Sequence, residues 1–199
     1  MDIAAILDKL VPAAKYGGSL TARTQEAYEA TVWKDDRDQP TWAEIEAGNI
    51  LILRDQKIAD LNEYYENYKV FKIIFEATID DNPYSSVFES ENKDDFTTVA
   101  TMSNFVLMMV SPGKELKTVT IVIAGVPEVE QRLQEIQQEI TARKSTNLVA
   151  KDLHISTINA LTDAAEVENY DYTAAILVNE HSFQILTTDI EVDITAWIS

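Results

Sequence analysis

The sequence predicts an α+β protein. A small N-terminal helix-strand-helix module (residues 1–48) is followed by a connector helix (49–69) and a larger mixed α/β domain (70–199) with an antiparallel C-terminal sheet. Three observations predict this. A helix start is written into Pro40-Thr41-Trp42-Ala43-Glu44, directly after the strand-like stretch Tyr28 to Trp33. At Val70 the apolar pattern turns from helical to the branched and aromatic run Val70 to Ile79. A narrow helical seam, Val129, Leu133, Ile136 and Ile140, then separates two β-rich regions.

The first element follows from Ile3, Ile6, Leu7 and Leu10, which recur at helical spacing between Asp2 and Lys9, with Pro12 as the stop. Gly17-Gly18 breaks the chain, and Leu20 to Gln25 reads as a turn or edge strand leading into Tyr28. Tyr28, Ala30 and Val32 alternate with Glu29, Thr31 and Trp33, which suits a short strand. Thr41 caps the next helix while Glu44 returns a bond to its amide, and Pro40 discourages an earlier start. Gly48-Asn49 is expected to stop or kink that helix. The connector is the amphipathic stretch carrying Ile50, Leu51, Leu53, Ile58, Leu61, Tyr64, Tyr65 and Tyr68.

After the strand ending at Ile79, residues 80–95 read as a long polar connection containing Asn82-Pro83. Phe96 to Val110 is apolar, and its second part, Phe105 to Val110, reads as a strand ended by Ser111-Pro112-Gly113. Lys117 to Ala124 makes the second arm of a hairpin. Gly125-Val126-Pro127-Glu128 opens the seam helix, whose apolar line is expected to pack on the chain's own sheet and whose end is expected near Arg143-Lys144. Ile155, Ile158 and Leu161 suit another short helix. Tyr172 to Val178, a turn at Asn179-Glu180-His181, Phe183 to Thr187, and Ile190 to Ile194 read as three strands. Trp197 and Ile198 give an apolar end that must be covered.

Composition narrows the function. The 46% of hydrophobic residues suffices for a core, and 34 acidic against 16 basic residues give a net charge of −18. That balance opposes binding to nucleic acid and to anionic membrane surfaces. No apolar run approaches the ~20 residues of a spanning helix. With an acidic Met1-Asp2-Ile3 start, the product is expected to be soluble and made in the cytoplasm. Cysteine is absent, which excludes disulfides, thiolate catalysis and cysteine-bound zinc.

No catalytic residue, cofactor or metal site is expected. HExxH, P-loop, GxGxxG and GxSxG patterns are all missing. His154 reads as a surface or satisfied core histidine, and His181 as a polar hairpin residue. Asp35-Asp36-Arg37-Asp38 and Asp80-Asp81-Asn82 lack the spacing of a calcium loop, so their carboxylates are expected to satisfy local amides. Trp33 and Trp42 bracket the charged turn, where two indoles can anchor another protein or close the core of a small module.

The amphipathic start Ile3 to Leu10, the turn Pro12 to Ala14, Val32-Trp33, Asp35-Asp36, Pro40-Thr41 and Glu44-Ile45-Glu46-Ala47 together resemble small tail-associated proteins of bacteriophages. The shared pattern is W-x-D-x-x-x-x-P-T-x-x-E-x-x-A, matched by Trp33, Asp35, Pro40, Thr41, Glu44 and Ala47 over about residues 1–50. The chain departs from it by extra residues around Thr21 to Gln25. The resemblance implies a virion or tail-assembly context with the N-terminal unit as an attachment module, and says nothing about an activity. Without a catalytic constellation the chain is expected to be a non-enzymatic structural component. Ile3, Leu7, Leu10, Trp33, Asp35, Pro40, Thr41 and Trp42 are then the expected protein-interaction residues. Other tail or fibre subunits are the expected partners, with a homo-oligomeric assembly. Two other roles stay open: a fibre-assembly chaperone absent from the mature particle, which the same module could serve, and an acidic inhibitor that mimics nucleic acid, motivated by the net charge of −18.

Overall fold

The computed structural model describes residues 1–79, 81–92, 95, 104–113, 117–122, 127–185 and 192–196. Helices are α1 (Ile3–Leu10), α2 (Gln25–Glu29), α3 (Trp42–Lys69), α4 (Pro127–Ala160) and α5 (Ala164–Glu168). Strands are β1 (Tyr16–Gly17), β2 (Val32–Trp33), β3 (Phe71–Ile79), β4 (Asn82–Ser90), β5 (Asn104–Met109), β6 (Lys117–Val122), β7 (Glu180–Ile185) and β8 (Val192–Ala196). Helices and a mixture of antiparallel and parallel pairing make the chain α+β. It packs as two compact units: Met1–Glu63 with Lys151–Ala174, and Tyr64–Ala150 with Ala175–Ser199.

The first unit begins with α1, where Asp2 accepts from the Ala5 amide and Ile3, Ile6 and Leu7 face inward. Two expectations fail here. Tyr28 lies in helix α2 and not in a strand, because Thr24 caps that turn by accepting from Ala27 N, and only Val32 and Trp33 pair, with Tyr16 and Gly17. The helix after Pro40 does not stop at Gly48-Asn49 but runs on to Lys69, so the capped helix and the connector are one element. Gly48 answers to packing: a Cβ there would come within 2.6 Å of Ile6 Cγ2 and 3.3 Å of Leu10 Cδ1, so α1 crosses α3 where α3 has no side chain. The later part of the unit is tied down by polar groups. Arg54 donates to Leu161 O, Lys57 to Glu168 O at 2.7 Å, and buried His154 lies 2.8 Å from Tyr170 Oη and 2.7 Å from Ala174 O.

In the second unit, β3 is central. It pairs antiparallel with β4 and parallel with β7, while β5, β6 and β8 form an antiparallel sheet in that order. A bridge between Ser85 and Val110, with bonds of 3.0 and 2.9 Å in both directions, joins β4 to the end of β5. Strict alternation places Phe71, Ile73, Phe75, Ala77 and Ile79 on one buried face. Val129, Leu133, Ile136 and Ile140 of α4 pack against it with Tyr84, Met109 and Phe183, as the seam predicted.

Four sequence expectations are corrected here. The polar connection after Ile79 is mostly strand: Ile79 pairs with Asn82, Asp81 turns the chain at φ 62°, and Tyr84 and Phe88 point to the core from a segment whose many serines hide the alternation. Helix α4 continues past Arg143-Lys144 to Ala160, absorbing the short helix expected around Ile155 and Ile158. Tyr172 to Val178 forms no strand, because the Leu177 amide and carbonyl are both held at 2.7 Å by the Asn147 side chain in place of a neighbouring strand. His181 is no hairpin residue. It is buried in β7, which is parallel to β3, within 3.0 Å of Glu139 Oε2 and 2.5 Å of Asn179 Oδ1. The β5–β6 hairpin stands as expected. Phe96, Gly125, Val126, Thr187, Ile190, Trp197 and Ile198 lie outside the described residues.

Candidate docking module

The residues singled out by the tail-protein pattern converge on one small core in the first unit. Ile3, Ile6, Leu7, Tyr28 and Ile45 are buried together, and Trp33, Trp42, Met1, Tyr16, Leu20 and Ile52 pack around them half-buried. Burying these side chains outright is beyond a segment of this size, so the indoles keep part of their surface in water. Leu10 stays 36% exposed at the rim.

Each polar group of the pattern closes a specific gap in the fold. Trp33 Nε1 donates to Arg37 O at 2.6 Å, which folds the charged turn back on its own strand. Asp35 accepts from Arg37 Nε at 2.7 Å, Arg37 Nη2 at 2.9 Å, Arg37 N at 3.1 Å and Lys15 N at 3.1 Å. The Arg37 guanidinium and these amides hold the Asp35 carboxyl well below the usual carboxylate range. Arg37 also reaches Pro12 O at 3.1 Å and so links the turn to the end of α1. Asp35 thus satisfies two backbone donors, as expected of a carboxylate in such a turn.

Pro40 offers its carbonyl to Tyr28 Oη at 2.6 Å, and burial pushes the Tyr28 phenol above its ordinary pKa. Thr41 and Glu44 form the expected cap: Glu44 Oε2 accepts from Thr41 N at 2.7 Å and Thr41 Oγ1 at 2.8 Å, and Glu44 N donates back at 3.3 Å. Those bonds lower the Glu44 pKa. Trp42 tilts against Tyr28 with ring centroids 6.0 Å apart, and its Nε1 donates to Glu46 Oε1 at 2.9 Å. Outside this framework lies a shallow groove of about 490 Å³ lined by Gln25, Tyr28, Glu29, Gln39, Pro40, Thr41, Trp42 and Ala43.

Sequence reading missed what Tyr28, Arg37 and Gly48 do in closing the module. Thr24 with Gln25 and Glu29 one helical turn apart could have revealed α2, since Gln25 Nε2 bonds Glu29 Oε1 at 2.7 Å. Among the described residues no group of three His, Asp or Glu side chains is placed to hold a metal ion, and no described helix is long and apolar enough to cross a membrane.

The described residues form a two-unit α+β protein whose N-terminal module is closed by side chains bonded to backbone. Comparison of the chain with family models, characterised proteins and solved structures returned no match.

Proposed function

We propose that the chain is a non-enzymatic structural protein of a bacteriophage virion, an adaptor in the tail, baseplate or fibre connection. It would make protein–protein contacts through its N-terminal module, join other tail or fibre subunits, and assemble as a homo-oligomer. The observation that carries the reading is the use to which the pattern residues are put. Trp33, Asp35, Pro40, Thr41 and Glu44 each make a bond that shapes one compact unit. A unit fixed by such ties keeps Val32, 61% exposed, and the open faces of Trp33 and Trp42 in defined places. Rigid presentation of a few aromatic and apolar anchors suits attachment to a repeated neighbour.

Electron microscopy of purified particles, with a label fused to this chain, tests the reading. Labels at one fixed level of the tail, repeated by its symmetry, are the expected result. Unlabelled mature particles alongside labelled assembly intermediates would replace it with the chaperone role.

A further inference from the structure

Among the described strands, β7 is the last of the sheet β4-β3-β7. It runs parallel to β3 with Glu180 opposite Lys72, and Lys72 N donates to Asn179 O at 2.9 Å. In a parallel ladder a residue bonds the two that flank its partner, so Asn179 and His181 turn their backbone groups to β3. By alternation the carbonyls of Val178, Glu180 and Ser182 then point the other way. Helix α4 meets all three. Arg143 Nη1 donates to Val178 O at 2.7 Å and to Glu180 O at 3.4 Å, and Arg132 Nη2 donates to Ser182 O at 3.5 Å. Three turns of helix, about 16 Å, separate the two arginines, against roughly 13 Å of strand from Val178 to Ser182. Glu139 steadies the pair from between them, with Oε1 3.8 Å from Arg132 and Oε2 3.0 Å from His181 Nδ1.

We propose that Arg132 and Arg143 close the outer edge of β7 against the β7 of a second copy. A guanidinium on an outward carbonyl stands where the N–H of an added strand would have to stand, so the two cannot share the edge. The strand itself carries nothing that would refuse a neighbour. Sheet edges are usually blunted by lysine, proline or a bulge, and Glu180-His181-Ser182-Phe183-Gln184-Ile185 contains neither residue and pairs with β3 without a bulge. Its outward row is also self-complementary. A twofold axis at Ser182 would set Glu180 against Gln184 of the other copy, with no like charges opposed. The barrier to such pairing is therefore supplied by the helix, which lends the edge the cations that its own sequence lacks.

This goes beyond the virion reading, and it is tested on the purified full-length chain. Arg132→Met with Arg143→Met keeps the length of both stems and removes the donors. Sedimentation equilibrium should show self-association of that variant about tenfold tighter than wild type or more, with new antiparallel strand absorbance in the infrared and an unchanged melting point. The exchange removes two cations from a chain of net charge −18, so repulsion between copies alone predicts the opposite. Arg132→Lys with Arg143→Lys keeps a charge and a donor at each place and should associate no more than wild type. Adding Ser182→Pro to the methionine pair should cancel the gain, because the lost N–H faces away from β3 and only an added strand would need it. Unchanged association in the methionine pair, equal association in the lysine pair, a gain that survives Ser182→Pro, or a gain seen only with a fall in melting point would overturn the proposal.

Discussion

The two ends of the chain reach a fixed structure by different means. In the second unit twelve of the described residues are buried in one core between a sheet and a helix, and the strand register follows from simple alternation. In the N-terminal module five residues are fully buried, and the fold is closed by side chains bonded to backbone: Trp33 to Arg37, Asp35 to Lys15, Arg37 to Pro12, Tyr28 to Pro40. Apolar burial scales with area and tolerates exchange of one branched residue for another, whereas a side-chain tie depends on one atom in one place. The module is therefore the unit in which small chemical edits should have local and specific effects.

The largest effect is expected in the sheet unit. Ile136→Ala empties a fully buried seam position and should cost about 2–5 kcal/mol. Hydrogen exchange should show the loss in β3 and β7, with α1 amides affected less. Gly48→Val comes next and reverses that pattern. The added branch meets Ile6 and Leu10, so overpacking of about 1–3 kcal/mol should fall on α1 and α2 amides, and the helix-forming gain of replacing glycine will not offset it. Equal exchange in both regions would erase the distinction between them.

Smaller edits sharpen it. Tyr28→Phe keeps the ring and removes the bond to Pro40 O, for a loss of about 0.5–1.5 kcal/mol in denaturant unfolding. Thr41→Ala, which removes the cap, should cost about 1 kcal/mol.

The subtlest contrast is in pH. Burial and the nearby Arg143 guanidinium push the His181 pKa down, against the pull of Glu139. The unfolded chain then binds the proton more readily, so the sheet unit should begin to lose stability as pH falls below the ordinary histidine value of about 6.5. Asp35 has a folded pKa below its unfolded value, so its contribution is complete above about pH 4 and is lost only as pH falls further. Exchange followed against pH should therefore show β7 loosening before the Asp35 turn. Asp35→Asn should flatten the second step and leave the first.

How much of this was legible in the sequence follows from the same contrast. The seam of α4, the run of β3 and the Thr41 cap each announce themselves within a few residues, because periodicity and capping are local. Strand β4 was hidden because Asn82, Pro83 and three serines dilute its alternation. The sequence shows β7 as a strand only from Phe183, and its start at Glu180 and its pairing with β3 are missed because that parallel partner lies far upstream. Helix α2 exposes all but Tyr28 and Ala27, too little for an apolar stripe. Nothing local told that Gly48 serves a crossing helix and not a helix end. Of the interaction residues, Ile3 and Leu7 are core, Trp33, Asp35, Pro40 and Trp42 are half-buried ties or walls, and Leu10 and Thr41 face water. The sequence could place them in one neighbourhood; it could not divide them between holding the module and presenting it.

The most direct test of the virion assignment is quantitative mass spectrometry of mature, purified phage particles. The account predicts peptides of this chain at a fixed whole-number ratio to a tail subunit of known copy number. Peptides abundant in infected cells but missing from the particles would contradict it.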